Sequence, residues 1–442
     1  MQIKLSDHFS FKRLLRFTFP SILMMLFTSI YLVIDGYFVS YFIGKTALAA
    51  VNMIYPVIMI IGSLGFMLGT GGSALVAKTM GEGDDDRAKQ LFTMLYIASI
   101  IIGGVLTIPS FIFLDKIAYF LGARGELLKS SITYGRILLS TVVLFVVQME
   151  SQVFFVTAEK PKLGLVMTVL SCGTNIILDG LFCAVFHFGV PGAAAATAIS
   201  QAIGGIIPLL YFTFNRSSRL HFTKTKYDKS ALLKSCSNGF SELLSNTSAA
   251  IISMLFNAQL LRYVGENGVA AYSVLMYVSV VFVAIFIGFS GGISPVISYN
   301  YGAENNKELK SITIKLIFLI IISSALMLAF SLLMAAPLSK LFVGYDKELY
   351  EMTVRGFYIY SFSFIFSGIS IFSSSFFTAL NNGFVSAFIS FMRTFVLQFI
   401  FVIVLPPFLG VDGIWLSIVI AELISFFISI FFLITKKKAY HY

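Results

Sequence analysis

Charge is scarce in this chain: 12% of its 442 residues are Asp, Glu, Lys or Arg, and 58% are hydrophobic. Soluble domains carry about 25% charged residues, so a water-facing globule is excluded. Cysteine is scarce as well. Cys172, Cys183 and Cys236 are odd in number, show no metal-ligand spacing and lie in or beside apolar stretches, so they read as small core hydrophobes. Of the four His, none is paired at i, i+4 on a helix, which leaves hydrolytic metal chemistry without support. No G-x-x-x-x-G-K-[ST] run is present to cradle a phosphate, so ATP is not indicated as a driver. The first apolar run is too long for a signal-peptide core and contains Asp35, so no cleavable signal is expected. Neither an enzyme nor a cofactor is indicated.

What the chain does contain is apolar length. About twelve stretches reach the roughly 20 residues that cross a hydrocarbon core. They run over 14–40, 50–77, 91–114, 132–157, 163–186 and 192–214, then 238–262, 269–299, 311–335, 353–380, 384–408 and 413–435. The expected fold class is an all-α polytopic membrane protein. With the N-terminus inside, 21 of the 31 Lys and Arg fall on inner segments, nine on outer ones, and Arg393 lies within a span. The positive-inside rule then places both termini in the cytoplasm, in a multi-pass inner (plasma) membrane protein. The net charge of +10 is thus a topology signal, not a nucleic-acid footprint.

The sequence also repeats at an offset of 221, half its length. Gly44, Ala49 and Ala50 recur as Gly265, Ala270 and Ala271; Gly71 and Gly81 recur as Gly292 and Gly302; Gly189-Val190-Pro191-Gly192 recurs as Gly410-Val411-Asp412-Gly413. Six spans per half is an even number, so the halves enter the membrane in the same direction. Two six-helix lobes related by a pseudo-two-fold axis along the membrane normal follow, an arrangement seen in secondary transporters. The expected division is an N-terminal lobe over 1–214, a basic linker over 215–237 and a C-terminal lobe over 238–442. Gly69-Thr70-Gly71-Gly72 ends an apolar span, where small residues permit close helix packing.

The duplication fails at the polar residues. Asp35, Asp179 and Thr197 stand opposite Phe256, Ile400 and Ile418. A carboxylate in hydrocarbon costs about 2.5–3.5 kcal/mol on insertion scales, so each one needs a reason. Counting residues from the span ends puts all three at similar depth in the outer half. Asn175 and Asp179 share one face of their helix, as do Ala193 and Thr197 of the next. Two carboxylates, an amide and a hydroxyl suit a hard cation such as Na⁺. They suit a proton equally, because two close carboxylates in low dielectric do not both stay ionised cheaply. The plainer alternative is that Asn175 and Thr197 make only packing hydrogen bonds. Arg393 and Glu422, on adjacent antiparallel spans, are expected to pair. Glu150 and Glu242 are expected to snorkel towards the cytoplasmic surface, with a role for Glu242 in substrate binding or coupling as an alternative. Most of the 47 Phe and 16 Met face lipid or packing partners, and some can line a cavity for planar or cationic ligands.

Asn175-Ile-Ile-Leu-Asp179, Gly192-Ala-Ala-Ala-Ala-Thr197-Ala-Ile-Ser-Gln201, Val33-Ile34-Asp35-Gly36-Tyr37-Phe38-Val39 and Ser298-Tyr299-Asn300-Tyr301-Gly302-Ala303 together resemble the multidrug and toxic compound extrusion (MATE) transporters, over nearly the whole chain. The resemblance implies a V-shaped, monomeric antiporter that exports organic cations or other amphipathic small molecules across the lipid bilayer in exchange for Na⁺ or H⁺. It implies a cation site at Asp35, Asn175, Asp179 and Thr197, which is also where Na⁺ would bind, and a bendable first helix at Pro20. Glu242 is the candidate match to the acidic residues that one branch carries in its second lobe. The runner-up reading is a flippase for lipid-linked saccharides or another lipid, which requires a cationic cavity for diphosphate head groups. A receptor or structural subunit has no need of acidic residues at a common depth.

Overall fold

The computed structural model describes residues 3–442, and among these it is helical throughout, with no strand. The first half consists of α1 (Phe11–Phe38), α2 (Lys45–Gly81), α3 (Asp85–Ile112), a short α4 (Leu114–Phe120), α5 (Gly125–Thr157), α6 (Pro161–Asp179) and α7 (Gly189–Phe214). The second consists of α8 (Lys229–Tyr263), α9 (Glu266–Gly302), α10 (Asn306–Val343), α11 (Lys347–Tyr360), α12 (Ser363–Ala379), α13 (Gly383–Phe391), α14 (Leu397–Val404), α15 (Pro406–Leu409), α16 (Val411–Thr435) and α17 (Lys437–Tyr440). Several helices begin where a polar side chain takes up a free backbone N–H: Ser10, Asp84, Asp228, Asn305, Asp346 and Asn382 each accept from the residue three ahead. These caps lie outside the apolar runs, so the helices overshoot the spans read from hydropathy.

Ten helices are long and apolar enough to cross a membrane, and α11 with α12, bent by 49° at their junction, make an eleventh. The remaining crossing is α8. It starts at Lys229, so the last part of the expected linker is its first turns. Ser235, Asn238, Ser241, Glu242, Ser245, Asn246 and Ser248 keep it too polar to pass on composition alone. The break at Ser361–Phe362, inside the expected span 353–380, was not signalled by Gly or Pro; there the Ser361 hydroxyl meets Ser331 and donates to the Phe357 carbonyl.

The repeated glycines explain themselves in pairs. Gly44 and Gly265 (φ 116° and 78°) and Gly189 and Gly410 (φ 65° and 58°) occupy left-handed turns at equivalent corners of the two lobes. The others let the lobes touch. A Cβ on Gly71 would lie 2.0 Å from the Ser235 carbonyl and 2.5 Å from the Gly239 nitrogen; one on Gly292 would meet Ser21 and Thr18. A Cβ on Gly81 would lie 2.1 Å from the Tyr299 carbonyl, and one on Gly302 2.1 Å from that of Lys78. Adding 221 to Thr18 and Lys78 gives Gly239 and Tyr299, so one contact of each pair repeats as a two-fold axis between the lobes requires.

These contacts all lie towards the end that carries the linker. There one hydrophobic core runs through both lobes, from Leu5, Leu68 and Phe92 to Val296, Phe377 and Ile389. At the other end a separate core draws on the first lobe alone, from Val39, Ile54 and Leu114 to Tyr134, Val142 and Ala194. The lobes are therefore joined at the linker end and part towards the other. The N-terminal segment crosses the joined end. Leu5 donates its N–H to Glu159 at 2.9 Å, Phe9 donates to Glu308 at 2.8 Å, and Lys315 donates to the Phe9 carbonyl.

Candidate functional site: a carboxyl pair and a central cavity

Asp35 is held one turn before the end of α1 and Asp179 at the last residue of α6. Each is followed by a wider π-type stretch, Val39–Ile43 and Gly180–Val185, a helix form often found at functional sites. Both are buried, Asp35 with 8% and Asp179 with 0% of its surface exposed, and their carboxyls are within hydrogen-bond reach of each other. Both Asp179 oxygens and Oδ1 of Asp35 lack any donor from the protein. Asn175, one turn before Asp179, donates from Nδ2 to Thr197 Oγ1 at 3.4 Å, and Thr197 Oγ1 donates to the Ala193 carbonyl at 3.2 Å. All four residues singled out in the sequence thus come together. Two carboxyls facing one another with no Lys or Arg between them need a proton or a cation to be stable side by side.

Three tyrosines frame the pair and escaped the sequence reading. The Tyr31, Tyr55 and Tyr134 hydroxyls all stand close enough to interact with Asp35. Tyr31 alone left a signal, since it sits one turn before Asp35 on the same face of α1.

The second element is an open cavity between the lobes, about 1000 Å³ of atom-free space with its open mouth included. Met24, Met25 and Phe66 line it from the first lobe, and Glu242, Ile371 and Arg393 from the second. Pro20 lies inside the unbroken α1, beside Ser21, which also faces the cavity. Arg393 sits in a third π-type stretch, Met392–Val396, and its Nε donates to both Glu422 oxygens at 3.0 Å, so the expected pair forms. Glu242 lies near enough to feel the same guanidinium. The cavity wall thus carries one carboxylate, Glu242, and one guanidinium, Arg393, with Glu422 buried behind the lining as the partner of Arg393. Glu242 faces the cavity and does not snorkel, and Glu150 does not snorkel either. Glu150 is wholly buried between α3 and α5, accepting from Ser99, because its helix continues about two turns past it before reaching the polar surface.

The Arg393–Glu422 pair carries a stability prediction. Arg393→Met strands a buried carboxylate and should cost about 3–5 kcal/mol, while the double change Arg393→Met, Glu422→Met should recover most of it. Melting curves in detergent read both, and a double variant no more stable than the single would show that the pair is not the reason for the loss.

Comparison with known proteins places this geometry. The MatE family model matches residues 20–181 and 242–404, one match in each lobe. The multidrug export protein MepA of Staphylococcus haemolyticus (strain JCSC1435) is 25% identical over 439 residues, covering 97% of this chain and 94% of that protein. A crystal structure of a MATE protein in complex with MaL6 superposes with TM-score 0.93 at 24% identity, over 99% of this chain and 98% of the other. The outward-facing conformation of a multidrug resistance MATE transporter of the MOP superfamily superposes with TM-score 0.92, also at 24% identity, over 99% and 97%. The twelve-helix, two-lobed fold and the paired family matches agree: this chain belongs to the MatE family, whose members are membrane transporters and not enzymes.

Proposed function

We propose that this chain is an ion-coupled antiporter that exports cationic or amphipathic organic compounds in exchange for inward Na⁺ or H⁺. The observation that carries the reading is the separation of two unlike sites. The carboxyl pair at Asp35 and Asp179 is small, buried and anionic, fit for a proton or a bare monovalent cation with Asn175 and Thr197 as neutral ligands. The central cavity is large and soft, with Met and Phe walls and, at Glu242, a lining carboxylate beside a guanidinium already paired with Glu422, fit for an apolar cation. The relatives named as multidrug export proteins support the same substrate class.

The linker end, which carries both termini and most of the Lys and Arg, is assigned to the cytoplasm of a plasma membrane. The lobes are closed there, so in this conformation the cavity serves the outer side. A membrane potential, negative inside, adds about 2.3 kcal/mol per charge per 100 mV to ion entry, enough to drive expulsion. The chain is read as working as a monomer. The flippase alternative needs a cationic cavity, and Arg393, the single cation among the described lining residues, is already neutralised by Glu422.

The test is ethidium movement across everted membrane vesicles, with Na⁺ and H⁺ gradients imposed separately. One of the gradients should drive uptake into the vesicles. Absence of uptake under both, with the protein present and folded, overturns the reading.

A further inference from the structure

Below the carboxyl pair, three polar stripes face one another inside the first lobe. On α5 the stripe is Tyr134, Thr141, Gln148 and Gln152; on α6 it is Asp179, Asn175, Ser171 and Thr168; on α7 it is Thr197, Ser200 and Gln201. Each keeps to one helical face. Hydrogen bonds join them step by step. Ser200 donates to the Thr197 carbonyl at 2.8 Å, Ser171 donates to the Ser200 carbonyl at 2.8 Å, and Gln148 Nε2 donates to Ser171 Oγ at 3.1 Å. Alongside, Thr141 donates to Gln201 at 3.3 Å. These bonds, two of them to backbone carbonyls, lead from the Thr197 carbonyl to a small pocket, of about the size of one water, lined by Gln148, Gln152 and Thr168. Gln152 also lines the central cavity, so the stripes connect the two sites.

This passage has open valences. Gln148 and Gln152 are 8% and 5% exposed, yet Oε1 of Gln148 and both amide atoms of Gln152 have no partner in the protein. A buried amide left unpaired costs about 1–3 kcal/mol per group, so neutral groups clustered around a cavity point to water. Gly204 keeps the space open, since a Cβ there would lie 2.4 Å from the Gln148 amide carbon. The second lobe shows the closed version of the same place. Adding 221 to Cys172 and Gln201 gives Arg393 and Glu422, the ion pair that fills the equivalent interior with fixed, mutually satisfied charge.

We propose that the seam at Gln148, Gln152, Ser171 and Thr168 holds ordered water and conducts the coupling monovalent ion, Na⁺ or a proton, between the Asp35–Asp179 pair and the central cavity. Neutral oxygens suit a transit station: they replace hydration without holding the ion as a carboxylate would. A proton would move along the ordered water itself, since the Ser171 and Ser200 hydroxyls donate to backbone carbonyls. The ion that enters at the carboxyl pair thus has a route towards the linker end that does not cross lipid.

The seam rests on the antiport reading, and the experiment separates the two. In vesicles, Gln148→Leu should slow ethidium uptake driven by the Na⁺ or H⁺ gradient by about tenfold, the scale of one lost bridging hydrogen bond in the limiting step. Ethidium–ethidium exchange, which needs no net ion movement, should stay within about twofold of wild type, and Gln148→Asn, which keeps a neutral amide, should restore part of the driven uptake. Which gradient is affected identifies the ion. Undiminished driven uptake in Gln148→Leu overturns the proposal, and so does an equal fall in exchange, which would mark Gln148 as structural. If wild type moves no ethidium under either gradient, the antiport reading fails on its own. Radiolytic hydroxyl labelling of purified protein then decides the seam: rapid labelling of Phe155 and Thr168, lost in Gln148→Leu, supports a hydrated cavity, and no labelling in wild type overturns it.

Discussion

Asp179→Asn should abolish gradient-driven export while leaving the protein as stable as wild type or slightly more so. The carboxyl has 0% exposure, receives no hydrogen bond from the protein and faces the Asp35 carboxyl. An amide has nearly the same shape, so packing is kept. It removes a group that is costly to bury as an anion, and relief of that cost should appear as an unchanged or raised melting temperature. Transport should fall about tenfold or more, since one lost charge contact to the ion exceeds the 1.4 kcal/mol that makes a factor of ten. Asp35→Asn should act in the same direction. The pairing of outcomes carries the test: vesicle uptake and melting measured on one preparation should move apart. An Asp179→Asn protein that transports normally would remove the coupling site from this place, and a protein that melts early would make Asp179 a structural residue.

Much of this was legible in the sequence, for a physical reason. A carboxylate inside an apolar run is so costly that its position alone marks a site, and helical spacing then aligned Asn175 with Asp179. The duplication could be read from glycines because left-handed corners and backbone contact admit no Cβ, whichever lobe they are in. What stayed hidden depended on third partners. Tyr55 and Tyr134 look like ordinary aromatic residues of apolar helices until Asp35 is placed beside them. Gln148 and Gln152 lie within a span already counted as hydrophobic, and their role depends on Ser171 and Gly204 arriving from other helices. Glu150 was misjudged because hydropathy ends the membrane where polar residues begin, not where helices end. α8 escaped the apolar test for the complementary reason: its Ser and Asn residues face a protein cavity and neighbouring helices, so its composition follows those neighbours and not lipid.

The glycines between the lobes look interchangeable in sequence, and the structure ranks them. Gly239→Ala places a Cβ 1.9 Å from the Met67 carbonyl oxygen, and Gly302→Ala places one 2.1 Å from that of Lys78. In both cases the obstacle is backbone of the other lobe, which cannot rotate aside. Gly292→Ala instead meets Ser21 Cβ at 2.8 Å and Oγ at 2.9 Å; Oγ can turn aside but Cβ cannot, so α1 must give by a few tenths of an ångström, less than a contact near 2 Å demands. Overpacking typically costs about 1–3 kcal/mol, and a clash between two backbones should reach or exceed the top of that range. The strain is relieved only if the lobes separate at the linker end, where Glu159, Glu308 and the N-terminal segment now hold them together. Gly239→Ala and Gly302→Ala should therefore shift the population towards a linker-open form and slow export several-fold, about the effect of 1 kcal/mol on a two-state balance. Gly292→Ala should have a smaller effect on both. Spin labels on Cys introduced at Ser217 and Lys307, both exposed at that end, report the separation directly. A longer distance in Gly239→Ala and Gly302→Ala, with Gly292→Ala between them and wild type, is the expected order. Equal effects from all three would mean that the joined end is pliable, and that the close backbone contact is not what keeps the lobes closed there.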